Sequence, residues 1–234
     1  MNSTRKLWVG LAALLIASFA VLLWVGSEVH RQAPPMPEQV VADDGTVVYT
    51  RKDIETGRQV WQSIGGQQLG SIWGHGGYVA PDWGADWLHR EAEAVLDLWA
   101  KRDAGVDSYK HLDEATQAAY AKRVQQLLRP NTYDEATGTV HVSNDRALAI
   151  AQVASHYTDL FSDDPGTAEL REAYAMRNNT VPDAEHRRQL TAFYWWAAWS
   201  SVTERPGAAI SYTANWPADD LVGNTPPPSA FLWT

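Results

Sequence analysis

Between Gly70 and Glu91 the chain gathers His75, His89, Asp82, Asp86 and Glu91 around the glycines 74, 76 and 77, with Tyr78 beside them. Imidazole and carboxylate are the ligand set of zinc and non-haem iron, so this is the first place to look for a metal. The spacing gives little support: there is no H-E-x-x-H and no H-x-H, and histidines so far apart commonly serve as hydrogen-bonded structural residues. Hard cations such as Ca²⁺ take carbonyl and carboxylate oxygens, and a glycine-rich turn can aim the ring or carbonyl of Tyr78. Composition alone establishes no calcium site.

Other chemistries lose their parts. The 234 residues contain no cysteine, which removes disulfides, thiolate nucleophiles, cysteine zinc sites, iron-sulfur clusters and haem attachment through C-x-x-C-H. Met176 lacks the haem motif that would make it an axial ligand, and packing is its simpler role. His30, His111, His141, His156 and His186 are scattered and receive no role. No G-x-S-x-G elbow supports a hydrolase, and no strand with G-x-G-x-x-G supports a dinucleotide fold. A formal charge of -9 offers no basic field for phosphates, so nucleic acid is excluded as a partner. Twelve tryptophans point instead to membrane interfaces or buried recognition surfaces.

The elements that must position these residues begin with an uncharged run from Leu7 to Val25, preceded by Arg5 and Lys6 and bounded by Trp8 and Trp24. At ~1.5 Å per residue it nearly crosses a ~30 Å hydrocarbon layer. It reads as a single N-terminal transmembrane helix whose basic end stays cytoplasmic, placing the rest in a periplasm or its equivalent. A cleaved signal peptide, with Ser18-Phe19-Ala20 as cleavage site, is the alternative; apolar sequence continuing through Val25 argues against it. The domain plan is an anchor over 1–28, a mainly α periplasmic domain over 29–182, and an aromatic helix with a turn-rich segment over 183–234.

Within the domain, Ala33-Pro34-Pro35-Met36-Pro37 forms a stiff spacer and Val47 to Tyr49 a short strand. Thr50 and Asp53 fit a capping box for a helix that ends at Gly65-Gly66. Trp83 to Ala100 is helical, Asp113 caps a helix that Pro130 stops, and a minor β-hairpin turns at Thr137-Gly138. Ser143 caps a helix to Phe161 with Ala147, Ile150, Ala154, Tyr157 and Phe161 inward. From Asp183 a helix runs through Phe193-Tyr194-Trp195-Trp196 until Pro206-Gly207. Its uncharged part is too short to span comfortably and suits a membrane-interface helix. A buried core helix is the other reading. The end, Phe231-Leu232-Trp233, reads as the approach to another membrane segment.

The stretch from Gly57 to Glu91, GRQVWQSIGGQQLGSIWGHGGYVAPDWGADWLHRE, resembles the N-terminal extension of quinol-dependent nitric oxide reductases, members of the haem-copper oxidase superfamily. FYWWAAWSSVTERPG and ISYTANWPADDLVGNTP carry a second family signature. The likeness covers essentially the whole chain, strongest over 53–91 and 190–226. It implies one membrane helix followed by a cytochrome c-like domain that has lost its covalent haem, consistent with the absence of cysteine. It also implies packing against a many-helix membrane core with haem b, haem b3 and non-haem iron, where two NO, two electrons from quinol and two protons become N2O and water.

Gly74 to Pro81 is similar to the stretch that, in cytochrome-bearing relatives, offers a tyrosine to a calcium ion bridging the haem propionates; here that residue is Tyr78. Ala218-Asp219-Asp220 departs from a polar pair common in relatives. The haem and iron histidines would lie past Thr234, so the resemblance assigns no catalytic and no cofactor-binding residue to this chain. It implies a fragment, a split subunit or a truncated product of an inner-membrane enzyme. A free-standing membrane-tethered interaction or sensor domain is the alternative.

Overall fold

The computed structural model describes residues 2–228 and divides into two compact units, Met1–Pro35 and Met36–Thr234. The first is a single helix, α1 (Asn2–Gln32), whose 31 residues extend about 46 Å at ~1.5 Å each. It is long and apolar enough to cross a membrane, and Leu7 through Val25 lie exposed along it. Helical backbone runs beyond the apolar stretch at both ends, because Arg5, Lys6, Glu28 and Arg31 are good helix formers.

The second unit pairs a small sheet with packed helices. Strand β1 (Gln39–Ala42) lies between β2 (Val47–Thr50) and β4 (Thr139–Val142), and β3 (Tyr133–Asp134) completes the order β2-β1-β4-β3. The β1–β2 and β3–β4 pairs are antiparallel hairpins; β1 and β4 run parallel, from Gln39 opposite Thr139 to Ala42 opposite Val142. Val40, Ala42, Val140 and Val142 turn inward. Gly138, at φ 68°, supplies the left-handed turn that the second hairpin needs. Strand β1 escapes the sequence reading because its four residues carry no alternating pattern and its parallel partner is distant in the chain.

Helix α2 (Arg51–Ser63) starts at the expected capping box: Thr50 Oγ1 accepts from the Asp53 amide, and the Asp53 carboxylate accepts from the Thr50 amide. Helix α3 (Trp83–Ala104) runs past Ala100 to the left-handed cap Gly105. Helix α4 (Glu114–Leu128) begins at Asp113 and α5 (Asn144–Leu160) at Ser143, each capped by its own side chain. Helix α6 (Ala168–Ala173) is short, and α7 (Ala184–Val202) begins at the Asp183 cap. The inward face of α5 is rotated from the expected one. Ile150, Tyr157 and Phe161 are buried, as are Arg146, Ala149, Val153 and Leu160, whereas Ala147 and Ala154 are half-buried.

The mainly α class with a minor β component stands. The aromatic helix requires a correction: α7 is not at a membrane surface. Every residue from Gln189 to Val202 is buried, and α2, α3 and α5 all pack on it. A helix that is apolar all round suits a core as well as it suits lipid, and here protein surrounds it. Its polar members close on the helix itself, Ser200 Oγ donating to the Trp196 carbonyl and Ser201 Oγ to that of Ala197, both at 2.8 Å. Gly57 of α2 lets the two helices touch, because a Cβ there would overlap the Gln189 carbonyl. α7 thus packs as a core helix among the helices that precede it. Phe231-Leu232-Trp233 lies outside the described residues.

Candidate functional site

The glycine-rich loop between α2 and α3 is organised by one carboxylate. Asp82, almost closed to solvent, caps α3 by accepting from the Ala85 amide at 2.9 Å through Oδ1. Its Oδ2 accepts from Ser71 Oγ at 2.7 Å and from the Gly74 amide at 2.8 Å. Ser71 Oγ in turn accepts from the Gly76 amide at 2.8 Å. Backbone bonds from Gly77 to Ala80 and from Trp83 to Ser71 close the turn. Gly70 has to be glycine: its φ is 141°, and a Cβ would sit 2.5 Å from the Pro81 carbonyl and 2.6 Å from Trp83 Nε1.

This loop is fastened to the rest of the domain at its two tryptophan contacts. Trp73 Nε1 donates to the Ala197 carbonyl of α7 at 2.9 Å, and its ring packs against Trp196 with centroids 5.3 Å apart. From the C-terminal turns, Trp216 Nε1 donates to the Gly74 carbonyl at 3.0 Å and its ring meets His75 edge-on at 4.8 Å. Those turns are held by Arg129, which donates to the Gly223 carbonyl and Asn224 Oδ1, both at 3.1 Å, and by Asn224 Nδ2, which donates to the Ser201 and Pro217 carbonyls. Loop, α7 and C-terminal turns form one platform. The two stretches in which the sequence carries its strongest motifs, 53–91 and 190–226, therefore meet in space.

Tyr78 stands at the loop tip, fully exposed at 104%, with Val79 half-exposed beside it. Among the described residues of this unit the exposed large apolar side chains are Tyr78 with Val79 at the loop tip, Leu148 on the wall of an open groove of about 760 Å³ between β2 and α5, and Val47.

The acids and histidines that the sequence groups together are dispersed by the fold. His89 Nδ1 lies 3.0 Å from Asp219 Oδ2, and Nε2 lies 3.5 Å from Glu93, which also pairs with Lys110. The hydrogen bond with Asp219 raises the His89 pKa above its ordinary value, with burial opposing it. Asp86 accepts from Tyr157 and Arg90; Glu91 accepts from Trp87 and Arg146. Among the described residues no cluster of three or more His, Cys, Asp or Glu could hold a metal. Sequence reasoning missed the roles of Ser71, Arg129 and Asn224. Asp82 had a readable signal, an aspartate directly before a helix start; Arg129 and Asn224 act over long separations that leave no local trace.

No curated protein sequence matches the chain. A profile of the NorB family of nitric oxide reductase subunits, describing their cytochrome c-like domain, matches residues 37–218 of the 234. That match runs from the strand pair through the platform to the C-terminal turns, so the chain belongs to the family of the NorB cytochrome c-like domain of nitric oxide reductase.

Proposed function

We propose that this chain is the membrane-anchored, haem-free portion of a quinol-dependent nitric oxide reductase, that it caps a haem-bearing catalytic core, and that Tyr78 contributes an oxygen to a calcium ion at that junction. The observation carrying the proposal is the Tyr78 tip: a fully exposed aromatic side chain on a loop whose remaining anchors all turn inward. A phenol raised on a rigid turn is suited to a partner surface, since little backbone ordering entropy is left to lose on contact.

Calcium takes six to eight oxygens. The residues present fit one contribution to such a site and not a complete shell, because both oxygens of the neighbouring Asp82 are already engaged. The core would supply the remaining ligands, along with haem b, haem b3, non-haem iron and the quinol site. Reduction of two NO by two electrons and two protons to N2O and water belongs to that core. This chain anchors and covers it. Arg5 and Lys6, ahead of the apolar run, favour a cytoplasmic N-terminus and a periplasmic domain on the inner membrane.

The test is Tyr78→Ala in the assembled enzyme, with bound calcium and the rate of haem reduction measured. Loss of calcium with slowed haem reduction is expected. Unchanged values of both would remove Tyr78 from the site.

A further inference from the structure

Two stacked rings at the α3–α5 contact each hold a hydrogen bond to a carboxylate of their own. Trp87 and Tyr157 lie nearly parallel, 10° apart in plane with centroids at 5.3 Å, and both are closed to solvent. The Tyr157 hydroxyl donates to Asp86 Oδ2 at 2.5 Å, and Trp87 Nε1 donates to Glu91 Oε2 at 2.8 Å. Each carboxylate is backed by a guanidinium: Arg90 Nε donates to Asp86 at 2.8 Å and Arg146 Nε to Glu91 at 2.6 Å. Filling the space between two helices requires none of these four charged groups, since apolar side chains can pack such a contact.

With cysteine absent, indole and phenol are the side chains of this chain that most readily give up a single electron. A phenol that does so becomes strongly acidic and must shed its proton. In a buried site without an acceptor the resulting cation would be costly. Tyr157 has its acceptor in hydrogen-bond contact, and so does Trp87. A path outward also exists: Trp83 stands edge-on to Tyr157 at 6.0 Å and to the half-exposed Tyr174 at 5.9 Å.

We infer that Trp87 and Tyr157 form a proton-coupled one-electron relay, opening to the surface through Trp83 and Tyr174 and serving an oxidising radical as its one-electron oxidant. In the forward step the oxidant takes one electron, the Tyr157 O–H bond breaks, and the proton forms a new O–H bond on Asp86. The products are a neutral tyrosyl radical, a protonated Asp86 and the reduced oxidant. A one-electron reductant reverses each change. Arg90 stays on Asp86 throughout and fixes the acceptor in place, while His156, whose ring meets Tyr157 at 5.3 Å, closes another side of the phenol.

The test uses the full chain in detergent with a photogenerated ruthenium(III) tris-bipyridine oxidant, read by transient absorption and by electron paramagnetic resonance of trapped samples. A neutral tyrosyl component that forms independently of buffer is expected, lost in Tyr157→Phe and formed about a hundredfold more slowly in Asp86→Asn, the low end of what a positioned proton acceptor contributes. The unmutated chain gives an independent reading. A phenol with its own acceptor is oxidised at a rate indifferent to buffer concentration, whereas an exposed phenol such as Tyr78 accelerates as buffer base is added. A buffer-independent tyrosyl component that persists in Tyr157→Phe, or an unmutated chain in which every tyrosyl component climbs with buffer, would overturn the relay.

Discussion

Replacing Arg146 by methionine strips the partner from a carboxylate that water does not reach. Arg146 Nε sits 2.6 Å from Glu91 Oε1, with the two side chains 3% and 1% exposed. The second oxygen of Glu91 keeps its bond from Trp87 in wild type and variant alike, so that bond offsets nothing. What remains is an uncompensated buried charge, which costs ~3–5 kcal/mol. Removing both partners in Glu91→Leu/Arg146→Met leaves no charge and only an orphaned Trp87 N–H, worth ~1–3 kcal/mol. The double variant should therefore be about 2 kcal/mol more stable than Arg146→Met alone, a non-additive result that identifies the pair as coupled. Urea unfolding of the full chain in detergent, followed by tryptophan circular dichroism, measures the wild type, Arg146→Met, Glu91→Leu and the double variant with the slope m unchanged. In thermal scans Arg146→Met should melt about 6–20 °C lower, at ~2–4 °C per kcal/mol for a unit of this size. A cost below about 1 kcal/mol, the range of an exposed pair, would refute the reasoning, as would a double variant that loses the sum of both singles.

Asp82→Ala removes the α3 cap together with both loop bonds, so it should cost ~2 kcal/mol, more than the ~1 of a cap alone. Limited proteolysis should then cut within 70–82 while helix content holds; an unchanged cleavage pattern would show that the loop has other supports. For His89 the sign follows from its raised pKa. The stability from its bond to Asp219 is fully present below the ordinary histidine value of ~6.5 and is lost as pH rises through the higher folded-state value. The side chain is half-exposed, so the stake is at most about 1 kcal/mol. Amide exchange across 216–224 should quicken between pH 6 and 9 beyond its intrinsic base dependence, and His89→Gln should flatten that excess. A variant with the same pH response would rule out His89 as the group responsible.

What the sequence made legible was local. Asp113, Ser143 and Asp183 each cap a helix through a bond to an amide three residues on, and the Thr50–Asp53 box spans the same distance. Such signals need no knowledge of the rest of the fold. The parallel pairing of β1 with β4, and that of Glu91 with Arg146, depend on chain segments that only the complete fold brings together. The apparent metal cluster dissolved for a reason visible in helix geometry. On α3 the pairs Asp86/Arg90, Trp87/Glu91 and His89/Glu93 are each four residues apart, so each shares a face, but the three faces point in different directions. Neighbours in sequence were therefore given to different partners.

The environment of α7 was illegible for another reason: a helix without a polar face carries no information on whether lipid or protein covers it. The loop contacts decide the matter physically. Trp73 commits its ring and N–H to Trp196 and Ala197, so the aromatic face that a membrane or a partner would have met is already occupied from within. Among the described residues the domain's exposed large apolar side chains are few: Tyr78 and Val79 at the loop tip, Leu148 on the groove between β2 and α5, and Val47. Of these the tip alone stands on a platform cross-tied by Asp82, Trp73 and Trp216, which fixes the backbone that carries Tyr78. A fixed backbone places the root of an exposed side chain and leaves its rotamer to be set by whatever it meets.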